Sequence, residues 1–330
     1  MERVIAAGLV AMVLSIIVGP KFIEFLRRNE LGQQIREEGP EGHRIKQGTP
    51  VMGGILIVLA ATLPFLALSE YTLSALTVLG VTLGCAAIGF VDDFTKVRHR
   101  RSLGLAGRWK LLLLAAITVF LAWAAREQGL DTDLYIPAVG QVDLWWFWYP
   151  LLFLIVAGAA NGVNLTDGLD GLAAGTGIIA LLTYTAINVI AFIRERGTTD
   201  LDLAILGGAL IGGAIGFLWY NAFPADVFMG DTGSMAIGGA LAGFAVMTNT
   251  EALLPLIGGI FLIEALSVMV QVFTFKYLDR RVFLMTPIHH HFEMKAWSET
   301  KIMVRFWILA AILCGSAFAL YYRYYLSFRA

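Results

Sequence analysis

A chain of 330 residues that is 58% hydrophobic and 15% charged, with a mean hydropathy of +0.73, is too apolar for an ordinary soluble domain. Its net charge of −1 gives no basic field to attract nucleic acid. The two cysteines, Cys85 and Cys314, both sit in apolar blocks and read as small buried hydrophobes, not as a disulfide or a metal pair.

A membrane crossing takes about 20 apolar residues. Ten blocks qualify, near 4–25, 51–68, 73–91, 110–125, 144–160, 172–193, 203–219, 233–248, 253–275 and 306–326. Each must be helical, because an open sheet would leave backbone groups unpaired in lipid. The expected fold is therefore an all-α polytopic membrane protein of about ten transmembrane helices.

The first block lacks a basic start and a small-residue cleavage site, and Lys21, Arg27 and Arg28 close it, so it reads as a span and not a signal peptide. The loop that follows ends in His43-Arg44-Ile45-Lys46-Gln47-Gly48-Thr49-Pro50. Arg44 and Lys46 suit lipid headgroups, and the Gly-Thr-Pro turn admits a more specific role. After the third block comes Asp92-Asp93-Phe94-Thr95-Lys96. Adjacent carboxylates can hold a divalent cation or act as a base, and they can equally be a solvated helix end with an Asp92–Lys96 ion pair.

The segment 126–143 is the longest loop on its face and contains a candidate hairpin near 134–143 with its turn near Gly140. Trp145, Trp146 and Trp148 follow as an expected interfacial belt. Next, Asn161, Asn164, Asp167 and Asp170 recur every three residues between two apolar blocks, with Gly168 and Gly171 allowing close backbone approach to a ligand. A plain interhelical turn would not need so many acceptors. Asn221 through Ser234 place Asp231 where a block begins, among Gly, Thr and Ser. A helix start of that kind suits phosphate or a metal–phosphate complex, or simply a capping aspartate. Phe228 could stack a base or serve only in packing. Last, Pro287-Ile288-His289-His290-His291-Phe292-Glu293 lies in a basic loop. Neighbouring histidines do not readily face one metal, so a phosphate or sugar contact is the preferred reading, against an inert basic turn.

Loops 27–50, 92–110 and 276–305 hold five, six and six of the 24 lysines and arginines. The positive-inside rule puts these loops in the cytoplasm and both termini outside. All five polar clusters then share the cytoplasmic face. Together they supply acids for Mg²⁺, bases for phosphate and amides for sugar, a mixture suited to phosphoryl transfer.

These motifs resemble the phospho-N-acetylmuramoyl-pentapeptide transferase family, within the polyprenyl-phosphate N-acetylhexosamine-1-phosphate transferases. The resemblance runs from Gly48-Thr49-Pro50 to the Pro287–Glu293 string, and the triple histidine marks the muramoyl-pentapeptide branch. It implies a single transmembrane catalytic domain over 1–330, in the bacterial plasma membrane. The reaction it implies converts UDP-N-acetylmuramoyl-pentapeptide and undecaprenyl phosphate to lipid I and UMP, with Mg²⁺, for peptidoglycan synthesis. It also implies a homodimer. By the same resemblance, Asp231 is the Mg²⁺ ligand and Asp92, assisted by Asp93, deprotonates the prenyl phosphate. Lys96, Lys110, Asn164 and Asp167 line the catalytic cleft, and His289, His290 and His291 lie near the phosphosugar. Lys46, Gly168, Leu169, Asp170, Asn221 and Phe228 form the uridine pocket, with Thr49 and Asn161 also on the substrate side. Two rival readings are a sister transferase of N-acetylglucosamine-1-phosphate and, from a different class, a transporter. The histidine string argues against the first. The second expects ionisable residues at mid-membrane, where only Glu264 lies clearly inside a block, and it could equally face the cleft.

Overall fold

The computed structural model describes residues 1–29, 48–99 and 103–325. Each of the ten apolar blocks becomes a helix: α1 (Glu2–Arg28), α2 (Gly54–Leu68), α3 (Leu73–Arg98), α4 (Gly107–Glu127), α5 (Trp148–Thr166), α6 (Leu172–Glu195), α7 (Thr198–Asn221), α8 (Gly230–Met247), the broken pair α9 (Leu254–Ile257) and α10 (Gly259–Leu278), and, beyond the short α11 (Ile288–Glu293), α12 (Glu299–Leu320). Among the described residues, eight helices are long and apolar enough to cross a membrane. The two blocks below that threshold are α2, with 15 residues, and α8, which opens on polar Gly230-Asp231-Thr232-Gly233-Ser234. The protein is an all-α polytopic integral membrane protein.

Burial sorts the helices. The most apolar window of α7 is 83% buried and that of α3 61%, whereas those of α1, α10 and α12 are 28% buried and turn their apolar side chains outward, as lipid-facing helices do. α3 packs most extensively on α8, and α1 on α7. Without a hydrophobic drive between helices in lipid, close approach depends on small residues. Gly89 on α3 is such a contact, since a Cβ there would fall 2.1 Å from the Asp231 carbonyl oxygen.

The hairpin forms as β1 (Asp133–Ile136) and β2 (Gly140–Asp143), antiparallel with Asp133 opposite Asp143. Its turn is Pro137-Ala138-Val139, with Ala138 at φ 66, directly before Gly140, as expected. The expected tryptophan belt needs correction. Trp145 and Trp146 are exposed, but Trp148 is fully buried, because it opens α5 on the face turned toward the core and Glu251. Cys85 and Cys314 are free and buried, as their surroundings in the sequence suggested.

Candidate active site

The sequence carries Asp92 and Asp231 139 positions apart, and the α3–α8 contact brings them together. α3 does not stop at residue 91 but continues to Arg98, so Asp92, Asp93 and Lys96 stand on its last turns. α8 starts opposite them with Asp231, and the first turn of α4 contributes Lys110. Carboxylate oxygens of Asp92, Asp93 and Asp231, all buried, lie within 4.8 Å of one another.

Two lysines bridge two of these acids. Lys96 Nζ lies 2.6 Å from Asp92 Oδ2 and 3.0 Å from Asp231 Oδ1. Lys110 Nζ lies 3.0 Å from Asp92 Oδ1 and 2.9 Å from Asp231 Oδ2. Buried carboxylates would be prohibitively costly alone, and this alternating square neutralises them. Asp92 Oδ1 also accepts the Leu105 N–H at 2.6 Å. Asp93 takes a different part. It accepts the backbone N–H groups of Asp231 and Thr232 and the Thr232 hydroxyl, so it caps the N-terminus of α8 from a neighbouring helix.

The acids fit a hard divalent cation. Such ions take oxygen ligands, and Asp92 and Asp231 already direct oxygens at shared cations, the two ammonium groups. Asp231 is the ligand that the resemblance implies; Asp92 and Asp93 have carboxylate oxygens close enough to share an ion with it, and Asp93 also caps α8.

The α5–α6 loop forms the next wall. Burial raises the Asp167 carboxyl well above the usual carboxylate range; Asp231 and Asp93 raise it further, against a hydrogen bond from the Gly230 N–H. Asn164 donates to Ser234 Oγ at 3.0 Å, tying α5 to the start of α8. Asn161 instead donates to Ala157 O of its own helix at 2.7 Å. Asp170 accepts the Ala225 N–H at 3.0 Å. Asn221 accepts the Gly171 N–H and donates to Val227 O, so its buried amide is committed to holding two loops together. Leu169 is buried in a small apolar cluster with Leu172, Ile260 and Ile302. Phe228 is half-buried, and its backbone pairs with Pro50 O and the Gly53 N–H, which brings the half-buried Thr49 segment to this end of the bundle. Lys46 lies outside the described residues.

The three histidines separate. His289 is fully buried, and its Nε2 abuts Gly168, where a Cβ would lie 2.3 Å away. His290 pairs with Glu293 through Nδ1, and His291 Nδ1 accepts the Leu284 N–H at 3.1 Å. His289 is thus placed against the Asp167–Gly171 loop. The structure adds one residue to the sequence-derived set. Glu264 of α10 lies beside His289, and its signal in the sequence was an acid inside an apolar block.

The chain is similar to known proteins. The profile of glycosyl transferase family 4 matches residues 75–249, from α3 to the end of α8. A phospho-N-acetylmuramoyl-pentapeptide-transferase of Rubrobacter xylanophilus is 47% identical over 331 residues, covering 98% of each chain. Proteins of the same name from Desulfitobacterium hafniense and Halalkalibacterium halodurans are 46% and 45% identical over 95% and 94% of this chain, and 96% of each relative. The chain belongs to glycosyl transferase family 4 and, within it, to the phospho-N-acetylmuramoyl-pentapeptide-transferases.

Proposed function

We propose that the protein transfers phospho-N-acetylmuramoyl-pentapeptide from its UDP conjugate to undecaprenyl phosphate, giving lipid I and UMP for peptidoglycan synthesis. The observation that carries this reading is the square of Asp92, Asp231, Lys96 and Lys110 at one end of the helix bundle. Phosphoryl transfer needs negative charge neutralised and reactants positioned, and little covalent chemistry from the protein. The basic loops assign this end to the cytoplasm, where a soluble nucleotide precursor arrives, while the prenyl chain arrives through lipid. Both termini then lie outside, the chain is one transmembrane catalytic domain of the bacterial plasma (inner) membrane, and it works as a homodimer.

The transfer we propose is a direct displacement. An oxygen of the prenyl phosphate attacks the β-phosphorus, the bond from that phosphorus to the bridging oxygen breaks, and UMP departs with the bridging oxygen. Asp92 takes the proton of the prenyl phosphate. Lys96 and Lys110 turn from the carboxylates toward the phosphate oxygens and stabilise charge as it moves to the leaving group. Asp231 is the residue that would hold Mg²⁺, which when bound would supply charge neutralisation on the diphosphate. The ring of Phe228 and the backbone around Gly168 and Asp170 receive the uridine.

The test supplies the purified protein with both substrates and Mg²⁺ and measures UMP release. Release that needs the prenyl phosphate and stops when the metal is chelated is the expected result. Release from UDP-N-acetylglucosamine but not from the muramoyl conjugate would move the protein to the sister activity. Substrate movement across a vesicle membrane without UMP release would make it a transporter.

A further inference from the structure

Glu264 is fully buried on α10 within Leu262-Ile263-Glu264-Ala265-Leu266. An ionisable group in such surroundings is costly and demands a partner. The packing of α10 sets its height: a Cβ on Gly162 would lie 3.1 Å from the Phe261 carbonyl, so Glu264, three residues on, is level with the end of α5 where the acids gather.

Its partner is His289, equally buried. Glu264 Oε1 lies 3.1 Å from His289 Nδ1, and Oε2 accepts the His289 backbone N–H at 3.5 Å. One carboxylate thus reaches both the ring and the main chain of the histidine. The ring contact is off the line of an ideal hydrogen bond, which is common for contacts that tighten only when substrate binds. The opposite nitrogen, Nε2, is buried and has no hydrogen-bond partner among the described residues. It abuts Gly168, next to the Asp167 carboxyl that interacts with Asp231 and Asp93.

We infer that Glu264 is a positioning residue for the transfer. It keeps a proton on His289 Nδ1, fixes the ring, and leaves Nε2 to exchange a hydrogen bond or proton with the phosphosugar once the Asp167–Gly171 loop admits it. A ring whose two nitrogens face a carboxylate and an open partner has its proton location set by the carboxylate. The inference rests on the proposed transferase reading and adds to it a residue that never touches substrate.

The experiment measures UMP release for wild type, Glu264→Gln, His289→Asn and the double variant, and records the ¹⁵N spectrum of the histidine rings in wild type. The His289→Asn spectrum identifies the signal. Glutamine keeps the shape of Glu264 and removes its charge, and its NH₂ turned to Nδ1 would reverse the tautomer. The expected result is a fall in kcat on the order of 10–100-fold, as for loss of an outer residue that orients a working histidine. KM for the UDP conjugate stays within about twofold. The double variant is no slower than His289→Asn alone, and Nδ1 is protonated in wild type. Additive losses, a rise in KM at constant kcat, or an unprotonated Nδ1 would overturn the inference. The wild-type spectrum decides it even if Glu264→Gln does not fold. A wild type that folds and releases no UMP refutes the proposed reaction, whereas the spectrum judges the Glu264–His289 pairing separately.

Discussion

The Asp93 carboxylate on α3 accepts both the backbone N–H and the hydroxyl of Thr232 on α8, at 2.9 and 2.8 Å, and its other oxygen accepts the Asp231 N–H at 3.1 Å. Asp93 therefore sets the position of Asp231 through the end of the helix that carries it. Asp93→Ala leaves three buried donor groups without an acceptor and is expected to destabilise the protein by about 1–3 kcal/mol and to abolish UMP release. Asp93→Asn keeps one acceptor and should lie between. Thermal denaturation in detergent, run beside the activity assay, checks both.

Lys96 and Lys110 each contact Asp92 and Asp231, so they share one task. Lys110→Ala should lower kcat on the order of 100-fold, the usual loss when one preorganised charge-stabilising group is removed. Lys96→Ala should do the same. Because both lysines belong to one network, the combined loss should differ from the product of the single losses. Independent, multiplying losses would mean that the two act at separate places.

Gly89 permits the α3–α8 contact on which the cluster depends. Gly89→Ala puts a methyl group 2.1 Å from the Asp231 carbonyl, and two backbones must separate to admit it. Both the thermal midpoint and the activity should fall. Gly315→Ala on α12, where no atom lies within 4 Å of the new Cβ, is the matched control and should leave both unchanged.

At the far end of α8, Glu251 is buried in the turn before α9. Burial pushes its carboxyl up from 4.5 to about 8. The folded protein thus holds a proton there that the unfolded chain releases above about pH 4.5. The associated stability is complete below that pH and is lost as pH rises toward 8. Glu251→Gln cannot titrate, so its thermal midpoint should drop less than that of wild type between pH 5 and pH 8. Parallel curves for the two proteins would contradict this.

Much of the architecture was legible in the sequence, because in a bilayer the length of an apolar block nearly dictates a helix. The polar clusters were legible too, since charged and amide side chains stand out against 58% hydrophobic residues. What each polar side chain does was not. Asp92 and Asp93 are adjacent and look interchangeable, yet helical rotation turns one to the lysines and the other to the α8 N-terminus. Asn221 also joins two loops and Leu169 also packs in an apolar cluster, contacts that no spacing in the sequence reveals. His289, His290 and His291 form one string, but successive residues on a helix point about 100° apart and find different partners. Glu264 and His289 are 25 positions apart, and no spacing rule links them. Trp148 opens α5 and is buried, whereas Trp145 lies in the short turn before that helix and is exposed.

The most direct test of the Asp231 cluster as the place of reaction compares UMP release by wild type and by Asp231→Asn, both purified in detergent with matched thermal midpoints, and given both substrates and Mg²⁺. Asparagine keeps the size of Asp231 and removes the charge that faces Lys96 and Lys110. Mg²⁺-dependent release by wild type and a loss on the order of 1,000-fold or more in the variant are expected. Release by Asp231→Asn at the wild-type rate would contradict the placement of the reaction at this cluster.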